Sequence, residues 1–159
     1  MTFKLIGAAC VALAAGSTLR TIFIQRRQEE CILRQMAAAL DTMAREIRWQ
    51  QRAISDIFST LSREPVTGKY FSEILEMLNR KIPLQFAWDN TFSASPLIEE
   101  VMLNIDLNGD EKQMVTSLER GAALLRGALE ERKKQRPEQT KLCTAAALSI
   151  AGVLILLLL

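Results

Sequence analysis

The stretch LRQMAAALDTMAREI, from Leu33 to Ile47, repeats apolar residues at steps of three and four. That spacing matches the 3.6-residue turn of an α-helix, so one face of the segment is apolar and the other polar. The stripe is interrupted at Gln50, resumes, and stops before Pro65. It therefore predicts one amphipathic helix, or two in succession. The predicted core positions are Leu33, Met36, Leu40, Met43, Ile47, Ile54, Ile57 and Leu61.

A second apolar stripe follows the sequence LNGDEKQMV, Leu107–Val115. Asn108 and Gly109 are typical of a helix end. Asp110 is placed to cap the next helix, with Gln113 positioned to return the hydrogen bond in a capping box. Acidic residues in the first turn and basic residues in the last also suit the helix dipole. The predicted core positions of this helix are Val115, Leu118, Ala122, Leu125 and Leu129.

The segment between the stripes is predicted as a turn, a short helix, a loop and a further helix. Residues 65–70, PVTGKY, are typical of a turn, and the apolar spacing in residues 71–82 indicates a helix that stops at the next proline. Residues 83–96 are predicted as a loop whose aromatic side chains dock on the bundle. Ser95, followed by a proline, is typical of an N-cap and predicts a helix through Ile105. With no strand-like alternation, the fold class is an all-α helical bundle.

Both ends of the chain are apolar. Leu142–Leu159 has no charged residue and would span about 27 Å as a helix, close to the thickness of a bilayer core. Leu5–Leu19 is also uncharged and follows Lys4. This first segment fits a cleaved signal peptide or an uncleaved membrane helix of residues 1–24. A lipoprotein signal is rejected because almost no apolar region precedes Cys10.

The positions of the basic residues distinguish a cleaved signal peptide from an uncleaved membrane helix. Basic residues follow the first apolar segment between Arg20 and Arg27, and precede the second between Arg132 and Lys141. Because positive residues stay on the cytoplasmic side, the pattern favours an uncleaved hairpin in the cell membrane with the middle of the chain in the cytoplasm. The expected domains are an N-terminal transmembrane helix (1–24), a cytoplasmic helical bundle (25–141) and a C-terminal transmembrane helix (142–159).

Composition disfavours several classes of function. The chain has 20 basic and 18 acidic residues, too balanced for a nucleic-acid surface. It has no histidine, the usual general base and commonest metal ligand, and no phosphate-loop motif. Two of its three cysteines lie in the apolar ends, so Cys31 is interpreted as a small apolar residue. We therefore expect no catalytic, cofactor-binding or metal site, no cofactor, no small-molecule substrate and no nucleic-acid partner.

Four carboxylates and two tryptophans are the other candidates for a site. The carboxylates are Asp41, Glu46, Asp106 and Asp110. Asp106 and Asp110 flank a turn but lack the further oxygen ligands that calcium needs, so capping is favoured. The other two carboxylates are interpreted as solvated. Trp49 and Trp88 are interpreted as packing residues, with docking of a partner as the alternative.

Two short motifs carry a resemblance to a known family. They are AREIRW, Ala44–Trp49, with an aromatic two residues after Glu-Ile, and LNGDEKQ, Leu107–Gln113, with the pattern Leu-x-Gly-Asp-x-x-Gln. Together with the basic stretch and the apolar ends, their order resembles stage III sporulation protein AB of endospore-forming bacteria over essentially the whole chain. Two positions depart from that family: Arg52–Ile54 replaces a common proline-leucine pair, and Cys143 replaces a glycine.

The resemblance implies a platform in the channel-like complex that links mother cell and forespore, in the mother-cell membrane around the forespore. Its cytoplasmic domain would be similar to those of the F proteins of type II secretion and type IV pilus machines. The implied partners are other membrane proteins of the complex, a cytoplasmic ATPase and the lipid bilayer. Two other classes stay open: a membrane-anchored helical regulator that binds a partner helix, unrelated to sporulation, and an enzyme with an unrecognised site.

The hairpin topology predicts that a membrane-impermeant thiol reagent does not label Cys31 in intact cells, because the middle domain faces the cytoplasm. Labelling should become efficient once the membrane is opened, and mass spectrometry of the peptide that contains Cys31 reads out both conditions. Efficient labelling of intact cells would instead support the cleaved signal peptide.

Overall fold

A computed structural model describes the backbone of residues 2–50 and 52–158, and the side chains of residues 24–50 and 52–134 with a few flanking ones. Throughout these residues the regular secondary structure is helical, which confirms the all-α class. The helices are α1 (Thr2–Gln50), α2 (Ile54–Leu61), α3 (Gly68–Asn79), α4 (Leu84–Ser93), α5 (Glu99–Leu103) and α6 (Glu111–Leu158). The chain divides into two compact units, Glu29–Glu130 and Met1–Gln28 with Glu131–Leu159.

In the described part of the chain, no helix is long and apolar enough to cross a membrane. The predicted membrane helices, residues 1–24 and 142–159, fall mainly on residues whose side chains lie outside that description. Both membrane helices, and the domain boundaries drawn from them, therefore stay predictions.

One apolar core holds the unit Glu29–Glu130 together. Both predicted stripes are buried in it; Ile54, at the start of α2, is the single member that is only half-buried. The helices between the stripes add large side chains, since Phe58, Phe71, Trp88 and Phe92 are all fully buried. The two stripes therefore predicted the main faces of the core correctly.

Helices α1 and α6 lie antiparallel in this unit. Arg48 of α1 forms an ion pair with Glu119 of α6, with 2.8 Å between Nη2 and Oε1, and Asp41 of α1 pairs with Arg126 of α6. The two ion pairs are separated by two helical turns on each helix, so the helices stay in register between them. Because all four side chains are exposed, the ion pairs add little to the stability of the unit. Their main effect is to fix which residues of α1 lie beside which residues of α6.

Gly121 brings α6 close to its neighbours. A Cβ atom at this position would lie 2.8 Å from Cδ1 of Ile105 and 3.2 Å from Cδ1 of Leu40, both fully buried. The absence of a side chain therefore lets two core residues, one from α1 and one from the segment before α6, pack directly against the α6 backbone.

Helices α2 to α5 pack in chain order, α2 on α3, α3 on α4 and α4 on α5. Their centre is a cluster of aromatic rings: the ring centroids of Phe58 and Phe71 are 5.7 Å apart, and those of Trp88 and Phe92 are 4.6 Å apart in an edge-on arrangement. The indole N–H of Trp88 donates to the carbonyl of Met102 at 2.9 Å, so this buried ring has no unpaired donor.

Helix α4 corrects the prediction of a loop over residues 83–96. Its buried residues are Ala87, Trp88, Thr91 and Phe92, a spacing that lines one face of a helix. The proline before Leu84 is the N-cap residue, with an extended backbone, so it starts the helix without losing a hydrogen bond. The predicted docking of the aromatic side chains is confirmed, but they dock from a helix.

Helix α5 is shorter than the helix predicted from Ser95 to Ile105. The carbonyl of Ser95 accepts hydrogen bonds from the backbone N–H groups three and four residues later, as at a helix start. Its hydroxyl, however, donates to the hydroxyl of Tyr70 at 3.3 Å instead of capping the helix. The helix ends at Leu103, and the chain beyond it bonds through the backbone of Ile105 and Leu107 to the side chain of Gln85 on α4.

The turn between α2 and α3 lies near the predicted PVTGKY turn and needs a glycine at its end. A Cβ atom on Gly68 would lie 2.3 Å from the carbonyl oxygen of Ser62, closer than any side chain can approach backbone. Gly127, on α6, is the opposite case, since no atom lies within 4 Å of a Cβ placed there. The two glycines therefore allow a direct test of the packing.

We expect Gly127→Ala to raise the free energy of unfolding by about 0.5–1 kcal/mol, because alanine loses less backbone entropy in a helix. Gly68→Ala should lower it by about 1–3 kcal/mol, because the methyl group overlaps backbone that must move. Urea unfolding followed by circular dichroism measures both. A gain in stability for both variants would contradict the described α2–α3 turn.

Candidate interaction surface

Both aspartates near the start of α6 accept backbone hydrogen bonds. Oδ1 of Asp106 accepts from the N–H of Asn108 at 2.9 Å, and Oδ1 of Asp110 accepts from the N–H of Gln113 at 2.7 Å. The predicted cap is therefore present, although Asn108 lies in a turn and does not end a helix. Among the described residues, no group of three or more cysteine, aspartate, glutamate or histidine side chains could hold a metal ion.

The carboxylates beside the first stripe are paired and not simply solvated. Asp41 forms the ion pair with Arg126 that joins α1 to α6. Glu46 lies 3.4 Å from Arg52, across the break between α1 and α2. Cys31 is half-buried, and the side-chain amide of Gln35 lies 3.6 Å from its sulfur. The ion pairs of Asp41 and Glu46 reach residues outside α1, so the spacing of residues within that helix could not predict them. The contact between Cys31 and Gln35 is a local one, between residues four apart on α1.

The two tryptophans have opposite environments. Trp88 is fully buried, as expected of a packing residue, whereas Trp49 is 76% exposed at the end of α1. The interpretation of Trp49 as a packing residue is therefore wrong. Its position explains this, because it follows buried Ile47 by two residues and so points away from the core face. A large exposed aromatic is the residue type most enriched at the energetic centres of protein interfaces.

A shallow pocket of about 520 Å³ lies between the end of α1 and the start of α6. We call this pocket, together with Trp49, which does not line it but follows Arg48 in sequence, the α1–α6 junction. The residues that line the pocket are Arg48, Asp110, Glu111, Lys112, Val115 and Thr116. Charges of both signs surround a buried valine, as in the polar rim and apolar centre of an interface.

The α1–α6 junction also joins the two motifs that carry the family resemblance. Arg48 belongs to AREIRW, whereas Asp110, Glu111 and Lys112 belong to LNGDEKQ, and all four line the same pocket. The motifs are about sixty residues apart in sequence, so their meeting is a result of the antiparallel packing of α1 on α6. A shared surface was not predicted, because a single sequence does not reveal which distant segments meet.

A second concave surface, of about 570 Å³, lies between α5 and α6 on the other side of Lys112 and Thr116. We call it the α5–α6 groove. It is lined by Val101, Asn104, Ile105, Lys112, Gln113, Thr116, Ser117, Arg120, Gly121 and Leu124. Its floor is apolar, and none of the described lining residues is a carboxylate.

Gln85 of α4 holds the segment that joins α5 to α6. Its side-chain oxygen accepts from the N–H of Leu107 at 2.8 Å, and its side-chain nitrogen donates to the carbonyl of Ile105 at 3.2 Å and to Asp89 at 2.9 Å. One amide thus satisfies two backbone groups outside any helix, and it fixes Ile105 in the groove floor. Sequence reasoning missed Gln85, because its backbone partners lie 20 and 22 residues away.

Comparison with known proteins identifies no relative of this chain: no family model, curated protein or solved structure matches it.

We expect Gln85→Ala to lower the free energy of unfolding by about 1–3 kcal/mol, because two partly buried backbone groups lose their partners. Gln50→Ala is the matched control: its amide makes only an exposed 3.4 Å contact with Glu46, so its loss should cost less than about 0.5 kcal/mol. Urea unfolding of both variants makes the comparison. Equal stability of the two would exclude the proposed role of Gln85.

Proposed function

We propose that this chain is a non-enzymatic, membrane-anchored platform subunit of a stage III sporulation complex. In this role it recruits other membrane proteins of the complex, and a cytoplasmic ATPase, at the mother-cell membrane around the forespore. Its bundle would act as the F-protein domains of type II secretion do, by holding partners in place. The observation that carries the proposal is the meeting of both family-like motifs at the α1–α6 junction.

The geometry of the junction suits a platform. A docking surface gains affinity when its anchor residues are held in place before the partner arrives. The Arg48–Glu119 ion pair joins the two helices at the junction, and the Asp110 cap fixes the start of α6. Trp49, which is exposed and follows Arg48 in sequence, can bury much of its large ring against a partner at little further entropic cost.

The proposed anchoring completes this arrangement. Residues 1–24 and 142–159 would cross the bilayer, and the bundle would face the cytoplasm, where an ATPase is accessible. The support is the basic residues that flank both apolar segments on the side of the bundle. In this proposal the membrane segments determine location, and the α1–α6 junction determines partner choice.

We expect Trp49→Ala to reduce spore formation strongly in a complementation assay, because it removes the anchor of the junction without touching the core. Phe86→Ala is the matched control, since Phe86 is a 62% exposed aromatic that lines neither the junction pocket nor the α5–α6 groove. Spore counts are read beside protein abundance and the amount of ATPase that co-purifies.

The expected result is loss of ATPase co-purification and of spores for Trp49→Ala at normal abundance, with Phe86→Ala close to the parent. Normal spore counts for Trp49→Ala would exclude the junction as the docking surface. Loss of spores with unchanged co-purification of every partner would point to chemistry at this surface, and the platform function would be wrong.

A further inference from the structure

The α5–α6 groove presents two cations that the described part of the chain leaves without an ion pair, Lys112 and Arg120. Both are exposed on the wall of the groove. The other arginines that face a neighbouring helix, Arg48 and Arg126, are paired with carboxylates. Lys112 and Arg120 are therefore available to a ligand.

The helix itself offers these two cations no internal partner. The nearest neighbours of each cation on α6 are the residues three and four positions away, where a carboxylate could form an ion pair with it. The positions around Arg120 are instead held by Thr116, Ser117, Ala123 and Leu124, none of which is charged. The residues three and four positions after Lys112, Val115 and Thr116, are likewise uncharged. An approaching anion thus meets no competing acidic group among the lining residues.

Beneath the cations the groove is apolar and closely packed. Ile105 forms the floor, where the missing side chain of Gly121 lets it contact α6. Leu124 extends the apolar surface and is 51% exposed. The hydroxyl of Ser117 accepts a hydrogen bond from the N–H of Asp106 at 3.0 Å, which ties the segment before α6 to the helix. The residue that forms the floor, Ile105, is therefore held against α6 from both this segment and Gly121.

The dimensions of the groove select the shape of a ligand. Lys112 and Arg120 are eight residues apart, about 12 Å along α6, and Leu124 lies about 6 Å further. A segment that reaches all three residues must extend for about three helical turns, with acidic groups at the cations and apolar groups over the floor. An amphipathic helix presents both on one face with this spacing.

We propose that the α5–α6 groove binds an acidic amphipathic α-helix of a partner protein, with its carboxylates on Lys112 and Arg120 and its apolar side chains on Ile105 and Leu124. The occupant is identified by charge complementarity to an apolar groove with two unpaired cations. This surface lies beside the α1–α6 junction and shares Lys112 and Thr116 with it, whereas Arg120, Ile105 and Leu124 belong to the groove alone. The inference does not depend on a role in sporulation.

The test uses the full chain in a neutral detergent and a fluorescently labelled helical peptide. The peptide carries glutamates at positions i and i+7 and leucines at i+4 and i+11, so that all four lie on one face and the last leucine extends beyond the second glutamate, as Leu124 extends beyond Arg120. A control peptide has glutamine in place of both glutamates, and a second has lysine. Fluorescence anisotropy at low and moderate salt measures binding.

We expect saturable binding of the glutamate peptide and weaker binding of the glutamine peptide. Arg120→Glu should weaken binding of the glutamate peptide by about tenfold or more, because attraction becomes repulsion. Arg63→Glu, which makes the same charge change at an exposed turn outside the groove, should not. The variant carrying Lys112→Glu and Arg120→Glu should bind the lysine peptide instead, a rescue that a folding defect cannot produce.

Three results would overturn the proposal. The first is equal binding of the glutamate peptide to the parent and to Arg120→Glu. The second is a concentration-dependent self-association that Arg120→Glu abolishes, measured by sedimentation velocity, which would identify a second copy of this chain as the occupant. The third is binding to nanodiscs with anionic lipid that requires Arg120 while the peptide fails to bind, which would identify a lipid surface.

Discussion

The apolar contact between α1 and α6 is the constraint on which the rest of the Glu29–Glu130 unit depends. Each helix contributes a stripe of buried side chains to a common core, and at about 25 cal/mol per Å² of buried apolar surface this contact outweighs the exposed ion pairs beside it. The ion pairs and Gly121 then select one register from those that apolar burial alone would allow. That register decides which residues meet at the junction and which form the wall of the groove.

Two neighbouring surfaces result from this register, and they differ in charge. The α1–α6 junction carries both signs of charge around Val115 and includes the exposed Trp49, which follows Arg48 in sequence, so it suits a broad contact with a folded partner. The α5–α6 groove carries unpaired positive charge over an apolar floor, so it suits a single acidic helix. Because Lys112 and Thr116 line both surfaces, a ligand in one would contact residues of the other, and two partners could influence each other directly.

The long stripes could be read from the sequence because each follows one helical period over several turns. The stripe is interrupted at Gln50, where α1 ends, although the sequence left open one helix or two in succession. The Asp110 cap could be predicted because a cap involves only neighbouring residues. Helix α4 was missed because one short buried face between two prolines resembles a loop. The position of Trp49, two residues after buried Ile47, already places it off the apolar face, so its exposure could have been read from the helical period. The contacts of Gln85 with the segment before α6 depend on residues distant in sequence, so local periodicity carries no signal for them.

The order of contacts also constrains how the chain can fold. Helices α2 to α5 contact their neighbours in sequence, so each of these contacts closes a short loop. The α1–α6 contact joins residues whose separation reaches 85 positions, and the entropy lost on closing a loop grows with its length. If α2 to α5 pack first, the effective span between the two long helices is shortened, and the association of α1 with α6 then joins these local contacts into one core.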